Sequence, residues 1–503
     1  MRATLFVALL CALAGSLASA AVDTSAWVGR NIYFIVVDRF VRGQTSSSSE
    51  PCDGHDWCGG TISGITEKLP YISAMGFDAI WITPIVKQTP WLDNWNGTAY
   101  HGYWASDFYE VDPNFGTPED LHTLVDTAHE LEMLFMLDIV ANHVGPLHTL
   151  DDVMNLGPGL NDPMGAQFHQ DPHPDAVPFA DYLLDPLTMM EAGPECWPYY
   201  TFGPDTCDFT TILDGWFGDL GDLNHENPDV QTYLLDWIDY MRSTYGIDGF
   251  RLDTALYIPP SFLASFQEAA DVYIVGEIVT YNQTLHASYQ EVLTGVLNFP
   301  ITEHIKTAFS SEGDLSFLGD VLVTQNQPAT GYKDVHLLGN FVDNHDSDRF
   351  LFNHTGDVLQ LKNAATFVNL WHGIPVTYYG TEGGWGGGVT EKSLSEMGEF
   401  LKALNDIREL AGFRAGGELV RSEASVVLAN ARYLAFSRGA LLVLVNNRGE
   451  EGGGEDEVCF DVVEEWQGAS WVAVMGDGSA VSDGSQVCVT TESSGPLVLS
   501  PVA

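Results

Sequence analysis

Along the chain, short continuous apolar runs alternate with longer stretches in which apolar residues recur every three or four positions. The runs are Asn31–Val37, Phe77–Thr83, Leu134–Val140, Gly249–Asp253, Val272–Ile278, Gly295–Phe299, Leu338–Asp343 and Ile374–Tyr379. A run without polar alternation suits a parallel strand covered on both faces. Helical stretches lie between most of the runs. Thr117–Glu132 has Pro118 just inside its start, where a proline is tolerated, and Asp229–Tyr245 is another. Eight strand–helix units predict an α/β chain folded as a (β/α)8 TIM barrel; a doubly wound sheet is the alternative on pattern alone.

Two regions break the alternation. Between Val140 and Gly249 the spacing is roughly a hundred residues, too long for a plain connection in a compact domain. Its earlier part, 143–221, is rich in Gly, Pro, Asp and aromatic residues, and reads as a subdomain inserted after strand 3. Near the C-terminus, Tyr433–Ser437 and Ala440–Asn446 alternate as half-buried strands do. That predicts a C-terminal antiparallel β domain. The predicted organisation is a leader over 1–20, a barrel over 21–142 and 222–412, the insertion over 143–221, and the β domain over 413–503.

The leader rests on Arg2, the apolar stretch after it, and the small residues Ala18-Ser19-Ala20. Export is therefore expected, and no later apolar run is long enough to span a bilayer. Of the seven cysteines, Cys11 falls in the leader. The other six form sequence-local pairs on our reading: Cys52 with Cys58, Cys196 with Cys207, and Cys459 with Cys488. Asn96-Gly97-Thr98, Asn282-Gln283-Thr284 and Asn353-His354-Thr355 are glycosylation triplets, usable in a eukaryotic host. With 20 Lys and Arg against 69 Asp and Glu, the net charge is −49. Such a surface repels nucleic acid and anionic lipid, and suits a neutral substrate. A soluble monomer is expected.

Polar residues at the C-terminal ends of barrel strands form active sites in this fold class. The third run ends DIVANH, with Asp138, Asn142 and His143. The fourth carries Arg251 and ends in Asp253. Glu277 closes the fifth, and FVDNHD, with His345 and Asp346, closes the seventh. One such acid reads as structural; acids at the ends of four strands read as a cleft. Glycosidic-bond cleavage needs a proton donor and a second carboxylate across the sugar. Arg251 and Asp253 are two apart, on one strand face. The guanidinium would keep Asp253 ionised, as a nucleophile requires. Apolar Val275 and Ile278 flank Glu277, surroundings that favour the protonated acid.

With these motifs the chain resembles α-amylases of glycoside hydrolase family 13, of the secreted fungal Taka type. DIVANH (138–143), GFRLD (249–253), GEI (276–278) and FVDNHD (341–346) carry the resemblance. YFIVVDRF (33–40), AYHGYW (99–104) and GIPVTYYGTE (373–382) are also similar. The resemblance implies Asp253 as nucleophile, Glu277 as acid/base and Asp346 as transition-state stabiliser. It implies His143, Arg251 and His345 around the sugar before the scissile bond, with Tyr103 stacked on it. It also implies a structural calcium, with Asn142, Asp222, the Tyr257 carbonyl and Glu195 as ligands. Thr254 after the nucleophile resembles enzymes acting on α-1,4 rather than α-1,6 bonds.

The chain departs from the fungal pattern in three places, one being a usual disulfide for which it has no cysteines between Cys207 and Cys459. Leu256 and Tyr257 stand where the relatives carry Lys-His, on the leaving-group side. The segment 380–396 is short and Gly-rich, lacks the family's arginine, and offers Trp385 as a stacking platform instead. The expected activity is endo-hydrolysis of α-1,4-glucosidic bonds in α-glucan substrates. A transglycosylase on the same site and an inactive glucan-binding protein are the alternatives.

Overall fold

Eight parallel strands form one sheet: β1 (Ile32–Ile35), β2 (Ala79–Ile82), β3 (Leu134–Val140), β4 (Gly249–Asp253), β5 (Tyr273–Gly276), β6 (Gly295–Val296), β7 (Gly339–Phe341) and β8 (Ile374–Tyr378). This computed structural model describes residues 23–42, 54–90, 92, 96–169, 213, 215–216, 219–383, 391–452, 454–461, 469–482 and 486–502. The expected leader, Cys52, Glu195, Cys196, Cys207 and Trp385 lie outside the described residues.

The strand order is β6-β5-β4-β3-β2-β1-β8-β7. A parallel bridge between Leu297 and Gly339 joins its two ends into a barrel. Every residue of the eight strands is buried, which is why the runs are continuously apolar. β3 and β4 coincide with their apolar runs, and the other six strands are shorter than theirs. β6 stops at Val296 because Asn298 turns inward, its Nδ2 donating to Asn340 Oδ1 at 2.8 Å, and Pro300 opens the helix Phe299–Ala308. The helix Pro118–Glu130 begins as expected. Thr117 and Asp120 form a capping box, and Leu121, Leu124, Val125 and Ala128 make its buried stripe.

Two short ladders extend the catalytic face. His143–Pro146 pairs antiparallel with Leu220–Asp222, so the insertion leaves and re-enters beside the end of β3. Val86–Gln88 pairs with Ala105–Val111 and frames the loop carrying Tyr103. The C-terminal region is an eight-stranded antiparallel sheet, β9 (Ala424–Ala429), β10 (Tyr433–Arg438), β11 (Leu441–Asn446), β12 (Asp456–Asp461), β13 (Ser470–Met475), β14 (Gly478–Ser482), β15 (Gln486–Thr491) and β16 (Leu497–Val502). Phe436, Val443 and Val498 of this sheet share an apolar cluster with Phe367 and Leu401 of the barrel's last helices. The Cys459–Cys488 disulfide joins opposed residues of β12 and β15, as expected. Among the described residues, no helix is long and apolar enough to cross a membrane.

Candidate active site

The register of β3 against β4 builds the centre of the site. Asp138 pairs with Arg251, and Val140 with Asp253. Opposed residues on neighbouring strands point to the same face, so Asp138, Arg251 and Asp253 all enter the barrel mouth. Arg251 is fully buried. Its Nη1 donates to Asp138 Oδ1 at 3.0 Å and to Asp253 Oδ1 at 2.6 Å, and its Nη2 pairs with Glu277 Oε1 at 3.0 Å. One guanidinium thus serves three carboxylates. Its planar array of donors allows this where a lysine ammonium would not.

Glu277 follows β5 directly. Its N–H donates to the Leu252 carbonyl at 2.9 Å, and its Oε2 accepts the Thr254 N–H at 2.9 Å. Thr254 has φ of +47°, an outlying conformation for a β-branched residue. The turn presents its N–H to the carboxylate. Burial raises Glu277 to about 8; Arg251 opposes the shift and Asp253 and Asp346 add to it. Glu277 is therefore a proton carrier at neutral pH. Asp138 lies deeper, its second oxygen accepting Tyr103 OH at 2.7 Å and Trp81 Nε1 at 3.0 Å. Burial raises it to about 7, against the pull of Arg251.

Asp346 stands at the rim, its side chain 45% exposed. Its Oδ2 accepts from Asn344 Nδ2 at 3.1 Å, and His345 Nε2 lies 3.5 Å from its Oδ1. The Tyr103 ring stacks on His345 at 5.3 Å and 15°, and the Tyr103 carbonyl is 3.3 Å from His143 Nε2. Burial lowers both His143 and His345, leaving neutral imidazoles. Asp253, Glu277, Asp346, Tyr103, His143, Arg251 and His345 thus meet in one connected network. Asp138, already noted among the strand-end acids, completes it together with Trp81, which was not singled out from the sequence. An acid inside LFMLDIV was the available signal, because a buried carboxylate requires partners.

Of the expected calcium ligands, the fold brings Asn142 and Asp222 side by side. Asn142 and Asp222 are both buried and adjacent, Asn142 Nδ2 donating to Asp222 Oδ1 at 3.1 Å. Asn142 Oδ1 is buried without a hydrogen-bond partner among the described residues, an oxygen of the hard type calcium takes. Tyr257 sits in the turn Ala255–Tyr257 after β4. His169 Nδ1 lies 2.6 Å from Asp222 Oδ2, a neighbour not foreseen. On the leaving-group side, the Leu256 side chain belongs to the core instead of the cleft. Its carbonyl accepts Tyr289 OH at 3.1 Å.

A closed parallel barrel with carboxylates on the strand ends around one buried arginine defines a barrel glycoside hydrolase. The family described as "Alpha amylase, catalytic domain" matches residues 34–412, and the chain belongs to it. It is an enzyme hydrolysing α-1,4-glucan bonds. Alpha-amylase 2 of Schwanniomyces occidentalis is 33% identical over 460 residues, covering 87% of this chain and 83% of the relative. The alpha-amylase of Saccharomycopsis fibuligera is 32% identical over 501 residues, covering 94% and 92%. The solved alpha-amylase from Malbranchea cinnamomea superposes with a TM-score of 0.78 at 30% identity, covering 95% of this chain and 97% of that one.

Proposed function

We propose that the chain is a secreted, monomeric, endo-acting α-amylase that retains anomeric configuration through a covalent intermediate on Asp253. The observation that carries this reading is the shared guanidinium. Arg251 holds Asp253 at 2.6 Å and Glu277 at 3.0 Å on different nitrogens, so the two carboxylates face one small space. Retaining glycosidases need this proximity, about 5–5.5 Å between the carboxyl groups.

In the first step Glu277, protonated, gives its proton to the glycosidic oxygen. Asp253 attacks the anomeric carbon, the C–O bond breaks, and the reducing-end portion leaves. Glu277, now ionised, takes a proton from water, and that water opens the ester with a second inversion. Asp346 grips sugar hydroxyls at the rim. Neutral His143 and His345 offer hydrogen bonds without adding positive charge near the forming oxocarbenium ion. Tyr103 supplies a ring face for the sugar. Calcium, held by Asn142, Asp222 and the Tyr257 carbonyl, would tie the insertion to the barrel. Chelation is expected to lower Tm, and added calcium to restore it.

The test is anomer-resolved NMR on maltoheptaose, wild type beside Asp253→Asn. Prompt α-anomeric reducing ends, with turnover lost by orders of magnitude in the variant, support the reading. β-Anomeric products would refute it. Longer oligomers with little net gain of reducing ends would assign the site to transfer.

A further inference from the structure

The three Asn-X-Thr triplets occupy different surroundings. In Asn282-Gln283-Thr284 the Asn282 side chain caps the helix Gln283–Ser288, its Oδ1 accepting the N–H groups of Thr284 and Leu285 at 3.1 Å each. In Asn96-Gly97-Thr98 the asparagine is exposed, but Thr98 is buried and its N–H donates to the His55 carbonyl at 3.0 Å. In Asn353-His354-Thr355 both Asn353 and Thr355 are exposed, and only the middle residue turns inward.

His354 is the anchor of that corner. Its ring stacks on Phe350 at 3.8 Å and 6°, and its Nε2 lies 2.9 Å from the Lys306 carbonyl. Thr355 and Gly356 follow with φ of +53° and +83°. The triplet therefore starts on the last residue of the helix Phe350–Asn353 and continues into the turn that leads to the helix Val358–Leu370. Beside it Phe352 is 65% exposed, an aromatic face with no cover.

We propose that Asn353 is a modification site carrying an N-linked glycan whose first sugar lies over the Phe352 ring. The inference rests on the reading that the chain enters a eukaryotic secretory compartment. The donor is a polyprenyl-diphosphate-linked oligosaccharide. The bond from sugar C1 to the diphosphate oxygen breaks, a C1–Nδ2 bond forms, Nδ2 loses one proton, and the polyprenyl diphosphate leaves. The exposed turn accommodates a bulky group without displacing core. The electron-rich face of Phe352 suits the C–H edge of a sugar.

The full chain is secreted from yeast with its own N-terminal segment and, in parallel, behind a standard yeast leader. Peptide N-glycosidase digestion in heavy-oxygen water, followed by peptide mass mapping, reads occupancy. Heavy aspartate at position 353, lost in Thr355→Ala, is the expected result. Hydroxyl-radical oxidation of Phe352 is expected to rise several-fold in Asn353→Gln. An unlabelled Asn353 in exported protein overturns the site. Equal Phe352 oxidation in the two proteins overturns the ring contact. Labelled Asn353 only behind the added leader would leave the site standing and overturn the chain's own secretion.

Discussion

The two ends of the barrel both collect charge, and they use it differently. At the N-terminal end a cavity of about 880 Å³ is lined by Arg30, Asp78, His129, Glu132, Asp248, Glu409 and Arg414, among others. There three acids are spread over two cations. Arg414 holds Asp78 at 2.8 Å and Glu409 at 3.3 Å, and His129 holds Asp248 at 2.8 Å. At the C-terminal end three carboxylates share Arg251, which is completely buried. Three acids over two cations come close to a match, whereas three over one leave a deficit. Charge in deficit leaves protons bound near neutrality, as at Asp138 and Glu277. The size of a cleft thus says less about chemistry than how its charges are matched.

The largest expected effect breaks this contrast directly. Arg251→Leu strands three buried carboxylates, so it should cost about 3–5 kcal/mol of stability and lower kcat/KM by roughly a thousandfold. Arg414→Leu at the other end should cost about 1 kcal/mol and leave kcat unchanged. Asp78 there keeps the Asn31 N–H at 2.6 Å. Denaturant melts and initial rates on soluble starch check both. Equal losses in the two variants would erase the distinction drawn between the faces.

The next effect concerns pH. Glu277 must carry its proton when the bond breaks, and burial places it at about 8. Activity should therefore persist through neutral pH and fall as pH rises through about 8, with Asp138, at about 7, able to broaden the limb by coupling. Glu277→Gln should lower kcat by about 100- to 10,000-fold and abolish that alkaline limb. An unchanged limb in the variant would assign it to another group.

What the sequence made legible follows from the kind of burial. The barrel strands are covered on both faces, so their apolar runs announce them, and register then carries Asp138, Arg251 and Asp253 to one face. The hairpin of Val86–Gln88 with Ala105–Val111 gave no such signal, because polar contacts hold it. Gln88 N–H donates to Asp112 Oδ2 at 2.9 Å, Trp104 N–H to Gln88 Oε1 at 2.8 Å, and Ser106 Oγ to the Gln88 carbonyl at 3.1 Å. The paired cavity at the N-terminal end was equally hidden. Its partners lie far apart in the chain, His129 and Asp248 by 119 residues, and neither belongs to a motif. Asp138 fell between these cases, visible as an acid in an apolar strand while its link to Tyr103 and Trp81 needed the folded register.

The smallest effect tests whether the N-terminal face is purely structural. The hydrogen bond to Asp248 raises His129 above its ordinary value of 6.5, against desolvation. A raised folded value means that the protonated ring stabilises the fold below pH 6.5, and that this contribution fades as pH rises through the folded value. His129→Gln should therefore be less stable than wild type at pH 6, with the gap closing towards pH 9. The His129 side chain is 36% exposed, so solvent screening keeps the gap below about 1 kcal/mol. Asp248 retains the Phe135 N–H at 2.8 Å in the variant, which limits the loss further. The pH–rate profile should not move, since the pair sits at the opposite end of β4 from Asp253. A shift in that profile would mean that the strand transmits the charge state of its N-terminal end to the nucleophile, and the two faces would then have to be treated as one electrostatic unit.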